Sequence, residues 1–126
     1  MSRLVSLAFL FAACTSNGND PIACQGDHCQ CDVGDCAYDC TPGAAECHVE
    51  GGGGPVDVHC NDNAECHVEC SGSPTCDVDC GGSTECHVTC PATGCTVTNC
   101  VGEGCVVACG TFVGIPTQHG TTATCP

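Results

Sequence analysis

The sequence carries almost no positive charge. Arg3 is the sole Lys or Arg among 126 residues, against fifteen Asp and Glu, for a formal net charge of −14 at pH 7. Neutralising a phosphate backbone needs cations, so nucleic-acid binding is excluded. Electrostatic attachment to an anionic membrane surface is excluded for the same reason. Beyond residue 13 there is no Leu, Met or Trp, and the aromatics reduce to Tyr38 and Phe112. A large apolar core cannot be built from what remains, and the length suits one domain. What the chain has in abundance is cysteine: 19 of 126 residues. That share exceeds the roughly 8–10 % that marks a disulfide scaffold.

The first residues have a different character. Arg3 precedes the apolar run Leu4 to Ala13, which ends in small residues. A positive start, a short apolar stretch and small residues at its end form an export signal, too short to span a bilayer. Phe11-Ala12-Ala13-Cys14 resembles a bacterial lipobox, with Phe where that motif usually has Leu. The resemblance implies cleavage before Cys14 and acylation of its thiol and amine. Thr15 in place of Asp implies delivery to the outer membrane. The alternative is an ordinary signal peptide and plain secretion. The expected organisation is a signal peptide over residues 1–13, a lipid anchor and polar tether over 14–23, and a Cys-rich domain over 24–126. Either route removes Cys14 from disulfide chemistry and leaves 19 − 1 = 18 cysteines. An even number in an oxidising compartment is what complete pairing requires.

The domain is a repeat. Cys66-His67-Val68-Glu69-Cys70 recurs as Cys76-Asp77-Val78-Asp79-Cys80 and Cys86-His87-Val88-Thr89-Cys90, with looser copies on either side. The central residues Tyr38, Val49, Val58, Val68, Val78, Val88, Val97 and Val107 are spaced by 11, 9, 10, 10, 10, 9 and 10. Within a copy, period two sets Cys, Val and Cys on one face and polar residues on the other. Gly, Pro, Asn and Ser separate the copies, so short β-strands joined by turns are expected and helices are not. No copy can bury its own narrow face, and stacking supplies the core. Outward positions run His48, Asp57, His67, Asp77, His87, Thr96. That alternation predicts a 20-residue coil of two opposed strands, an all-β, disulfide-stapled β-solenoid with His on one face and Asp on the other. The rival arrangement is a disulfide-laddered antiparallel meander.

Eighteen cysteines allow roughly 3 × 10⁷ pairings, yet a defect in the repeat narrows them. Gly51 and Val56 stand where Cys is expected, and they flank one turn. Bonds that bridge turns lose a complete pair there and leave no orphan. Turn-bridging gives Cys40–Cys47, Cys60–Cys66, Cys70–Cys76, Cys80–Cys86, Cys90–Cys95 and Cys100–Cys105. The same local rule gives Cys24–Cys29 and Cys31–Cys36, where Cys29 and Cys31 could exchange roles. Cys109 and Cys125 close a longer terminal loop. Val101, Phe112, Val113 and Ile115 form the one apolar group outside the strand centres and are expected to cap the last coil.

Chemistry is harder to find. Outward His48, His67 and His87 would stack about 4.8 Å apart in a solenoid, close enough to share Zn²⁺ or a similar ion; Ca²⁺ association with the carboxylates is the looser form of this option. Metallothioneins resemble the chain in Cys content, but they use dense Cys-x-Cys spacing, and Cys29-Gln30-Cys31 is the one instance here. Beetle antifreeze solenoids carry ranked Thr-x-Thr arrays, of which the repeat offers only Thr96-Val97-Thr98. No nucleophile–base pair emerges, and no cation is present for an oxyanion. The expectation is a non-enzymatic, acidic, surface-anchored module without a cofactor. It resembles Cys-rich repeat lipoproteins of Gram-negative bacteria. Its contact with the membrane runs through the lipid anchor, with divalent-metal binding as the alternative role.

Overall fold

The Cys-x-Val-x-Cys alternation becomes a stack of short parallel strands. The computed structural model describes residues 22–24, 29–31, 35–110 and 115–126. The leader, Cys14, His28, Phe112 and Val113 lie outside the described residues. The described residues form twelve strands: β1 (Ile22–Cys24), β2 (Cys29–Cys31), β3 (Cys36–Cys40), β4 (Glu46–Gly51), β5 (Val56–His59) and β6 (Glu65–Glu69), then β7 (Cys76–Asp79), β8 (Glu85–Cys90), β9 (Thr96–Thr98), β10 (Cys105–Cys109), β11 (Thr117–His119) and β12 (Thr122–Thr124). β1 takes in Ile22 and Ala23, the last two residues of the expected tether.

Successive strands alternate between two sheets. One runs β1-β3-β5-β7-β9-β12-β11 and the other β10-β8-β6-β4-β2. Neighbours from β1 to β10 are parallel, so strand n pairs with n + 2. This is a flattened β-solenoid of about four coils, and the meander, which would pair consecutive strands antiparallel, is excluded. Register is strict: Val49, Val68, Val88 and Val107 align in one sheet, and Tyr38, Val58, Val78 and Val97 in the other. Tyr38 and the six central valines from Val49 to Val97 are at most 2 % exposed. β-Branched side chains stacked along a parallel ladder fill the thin space between the sheets.

Disulfides close both long edges. Among the described residues, seven bonds join Cys40–Cys47, Cys60–Cys66, Cys70–Cys76, Cys80–Cys86, Cys90–Cys95, Cys100–Cys105 and Cys109–Cys125. Six of them are the pairs given by the turn-bridging rule, and Cys109–Cys125 is the expected closure of the longer terminal loop. Cys29 and Cys36 are also disulfide-bonded. One ladder of four rungs runs from Cys40–Cys47 to Cys100–Cys105, and the opposite edge carries Cys70–Cys76, Cys90–Cys95 and Cys109–Cys125. Successive rungs touch: the sulfurs of Cys40, Cys47 and Cys66 lie within 4.8 Å of one another, as do those of Cys80, Cys86 and Cys105. The defective rung lies in the second ladder, where Val56 pairs with Cys76 and Glu50 with Glu69, setting Gly51 over Cys70.

The turns explain their own residues. Asn61 and Asp62 both have positive φ, 51° and 59°, and Gly81 and Gly82 repeat this one coil later at 52° and 87°. Asn, Asp and Gly tolerate the left-handed region at least cost. Asn61 Nδ2 donates to the Cys40 carbonyl at 3.0 Å, and Asn63 Nδ2 to the Thr41 carbonyl at 3.1 Å, satisfying backbone groups of the preceding coil.

One expectation is corrected. Val101 and Ile115 do not form a cap, being 61 % and 85 % exposed. The last coil is instead covered by the hairpin β11–β12, with β12 antiparallel to β9 and a fully buried Ala123 against Val97. An antiparallel strand cannot extend the parallel stack, and a small residue there closes the core without large apolar side chains. At the start of the stack, Cys29 of β2 aligns with Val49 of β4.

Candidate functional site

Because Cys and Val point inward, chemistry is confined to the two outer faces. Parallel in-register pairing then multiplies each outward residue along a column, with neighbours about 4.8 Å apart. The five-stranded sheet presents Glu46, Glu65 and Glu85 in one column, His48, His67 and His87 in the next, and Glu50, Glu69 and Thr89 in a third. The seven-stranded sheet presents Asp57 beside Asp77 and His59 beside Asp79, followed by Thr96 and Thr98. The expected segregation of His and Asp to opposite faces is thus present. His59 is the exception, standing on the Asp face.

The His column has definite geometry. The rings of His48 and His67 are 6.0 Å apart, centroid to centroid, and those of His67 and His87 are 4.8 Å apart, nearly perpendicular. His48 Nε2 lies 3.8 Å from Glu50 Oε1, and His67 Nε2 lies 3.7 Å from Glu65 Oε2. Two of the three imidazoles, those of His48 and His67, therefore face glutamates of their own strands. Among the described residues, the triples of His, Cys, Asp or Glu with ligand atoms within 4.8 Å of one another are all cysteines. Every one of those sulfurs is in a disulfide and offers no thiolate. Holding one ion with His48, His67 and His87 together would require the rings to turn away from the glutamates.

The Asp face holds a shallow depression lined by Asp57, His59, Asp77, Val78, Asp79, Thr96 and Thr98. His59 sits between two carboxylates, with Nε2 3.9 Å from Asp57 Oδ1 and Nδ1 3.7 Å from Asp79 Oδ2. Asp79 is itself fixed, since its Oδ1 accepts from the Gly81 N–H at 2.9 Å and from Asn99 Nδ2 at 2.7 Å. Asp57 and His59 are two residues apart in the sequence. Their meeting with Asp77 and Asp79 was accessible by adding the 20-residue coil period to each.

Electrostatically both faces are unbalanced. The described residues include no Lys or Arg, since Arg3 is the chain's only one. Among the described residues, stacked carboxylates therefore lack a Lys or Arg counter-charge, and His is the only side chain there that can become cationic. No protein family, no curated protein and no solved structure matches this chain.

Proposed function

We propose that the chain is a non-enzymatic, acidic, surface-anchored lipoprotein whose solenoid serves as a structural or interaction module of the cell envelope. The observation that carries this reading is the sulfur chemistry. A domain whose two edges are closed by disulfide ladders needs an oxidising address, and the lipobox-like Phe11 to Cys14 supplies one route to it. The flat, regular faces offer repeated polar groups on a rigid frame and no enclosed cavity among the described residues. The test is metabolic labelling with a palmitate analogue, which should mark the wild type and leave Cys14→Ser unlabelled. Equal labelling of both would overturn the anchor.

The stacked imidazoles favour a second reading, divalent-metal binding through the outward His and carboxylate face. His67 and His87 are close enough to share an ion once their rings reorient. An EDTA-reversible equivalent of Zn²⁺ that disappears in His67→Gln/His87→Gln supports it, and binding unchanged in that variant refutes it.

A further inference from the structure

We infer that the turn between β4 and β5 is an endopeptidase site, the one described turn at which the folded, oxidised domain can be cut into two pieces that no disulfide joins. The scissile bond is Gly52–Gly53, and the matching enzyme is an endopeptidase that accepts glycine on both sides of the bond. This goes beyond the proposed envelope role and does not depend on it.

Three observations set this turn apart. The first is covalent. The other turns from β3 to β10 are each bridged by a disulfide whose partners are 5 to 7 residues apart. Across the β4–β5 turn the flanking cysteines are Cys47 and Cys60, 60 − 47 = 13 residues apart and bonded elsewhere. The second is hydrogen bonding. Each of the six bridged turns closes with a backbone bond of its own, as where the Ser73 N–H donates to the Cys70 carbonyl and the Ser83 N–H to the Cys80 carbonyl, both at 2.9 Å. Among the described residues, Gly52 to Pro55 has no such closing bond; the Pro55 carbonyl instead accepts from the Cys36 N–H at 2.8 Å. The third is steric. Gly52 and Gly53 are exposed, and a Cβ at Gly53 would meet nothing within 4 Å.

An endopeptidase takes an extended segment, so a folded loop is cut only in its locally opened state. A turn pinned by a short disulfide cannot lengthen. The β4–β5 turn can draw on its flanks as the strand ends fray, and Gly53 can leave its φ of 119° for extended backbone without steric cost. Exposed tips of small residues are preferred sites of nicking. Within the run, Gly51 belongs to β4 and Gly54 is buried, and the Gly54–Pro55 bond lacks an N–H. That leaves Gly52–Gly53, a bond with no side chain on either side to be read. Hydrolysis adds hydroxide to the Gly52 carbonyl carbon and a proton to the Gly53 nitrogen, giving a new carboxylate and a new amine.

The consequence follows from the pairing. Twelve cysteines lie beyond residue 55, and six bonds join them to one another. No disulfide therefore crosses the β4–β5 turn. A cut in any bridged turn leaves its pieces linked, as does a cut between Cys109 and Cys125.

The experiment treats the oxidised full chain with a zinc endopeptidase specific for Gly–Gly bonds. The chain carries its own control, because Gly81–Gly82 is the same dipeptide in a turn closed by Cys80–Cys86. Cutting at Gly52–Gly53 should be at least about 30-fold faster than at Gly81–Gly82, the effect of one short-loop disulfide on the open population. The two pieces should separate on a denaturing gel without reductant. The sequence has no Lys, so an amine-reactive label marks chain ends alone, and the cut should add one labelled end at Gly53. Gly51→Cys/Val56→Cys/Ser73→Ala, once its added disulfide has formed, should be cut about 30-fold more slowly. Cys80→Ser/Cys86→Ser should raise cutting at Gly81–Gly82. Equal cutting of the two glycine pairs in the wild type, pieces that separate only after reduction, a first new end other than Gly53, an uncut chain, or a bridged variant cut as fast as the wild type would each overturn the assignment.

Discussion

Restoring the missing rung is a demanding test of how the ladders work. Gly51 and Val56 occupy the positions that Cys70 and Cys76 occupy in the next coil, where the Cα–Cα distance is 6.1 Å. Gly51 is nevertheless not a free site. A Cβ there would lie 2.8 Å from a Val56 methyl and 3.3 Å from the Glu69 carbonyl, and would overlap the Ser73 hydroxyl. Val56→Cys removes the first conflict. Ser73 is 4 % exposed and its hydroxyl lacks a hydrogen-bond partner, so Ser73→Ala removes the overlap with its hydroxyl and an unsatisfied polar group with it, leaving the Glu69 carbonyl as the remaining close approach. A loop this short contributes about 2 kcal/mol in the chain-entropy model. Trading buried valine methyl groups for sulfur costs about 1 kcal/mol. Relieving the buried hydroxyl returns roughly 1 kcal/mol. The triple variant Gly51→Cys/Val56→Cys/Ser73→Ala should therefore gain about 2 kcal/mol. At about 4–8 °C per kcal/mol for a domain of this size, its melting temperature should rise by roughly 8–16 °C. The double variant that keeps Ser73 should gain clearly less. Scanning calorimetry gives the shift, and non-reducing peptide mapping should find the introduced thiols linked to each other. Introduced thiols that remain alkylatable, or that capture neighbouring cysteines, would refute the reasoning.

Three further outcomes follow from the packing. Cys80→Ser leaves the Cys86 thiol within 4.8 Å of the Cys105 sulfur, so exchange along the ladder should pass the free thiol on. Alkylation should then label Cys100 as well as Cys86, and label confined to Cys86 contradicts contact between rungs. Val78→Ala, at a position 2 % exposed in the centre of its column, should destabilise by about 2 kcal/mol in a denaturant melt. Ile115→Ala, at 85 % exposure, should cost less than about 0.5 kcal/mol. A comparable loss at both positions would restore Ile115 as a cap.

The repeat was legible because its code is simple. Period-two alternation, β-branched centres and turn residues every ten positions each pointed to the same strands, and the paired loss of Gly51 and Val56 selected the disulfide rule. The 20-residue coil was readable from His48, His67 and His87 against Asp57 and Asp77, because parallel stacking puts like residues in one column. The ends were not readable. Cys29 falls in the valine column, an alignment that leaves no mark in a sequence where either cysteine can follow a polar residue. Thr117–His119 and Thr122–Thr124 lack the Cys and Val signature, and their pairing depends on a tight turn with Gly120 at φ 60°. The Asp57, His59, Asp77 and Asp79 grouping stayed hidden for a related reason. Residues twenty positions apart become neighbours only after the register is known.

The account rests on strand n lying beside strand n + 2, and backbone NOEs test this directly. Strands paired in one sheet are about 4.8 Å apart, whereas strands facing each other across the core are about 10 Å apart. Cross-strand amide and Hα contacts should therefore link the backbones of Val68 and Val88, and of Val58 and Val78. Contacts linking the backbone of Val68 to that of Val78 instead would establish consecutive antiparallel pairing and contradict the solenoid.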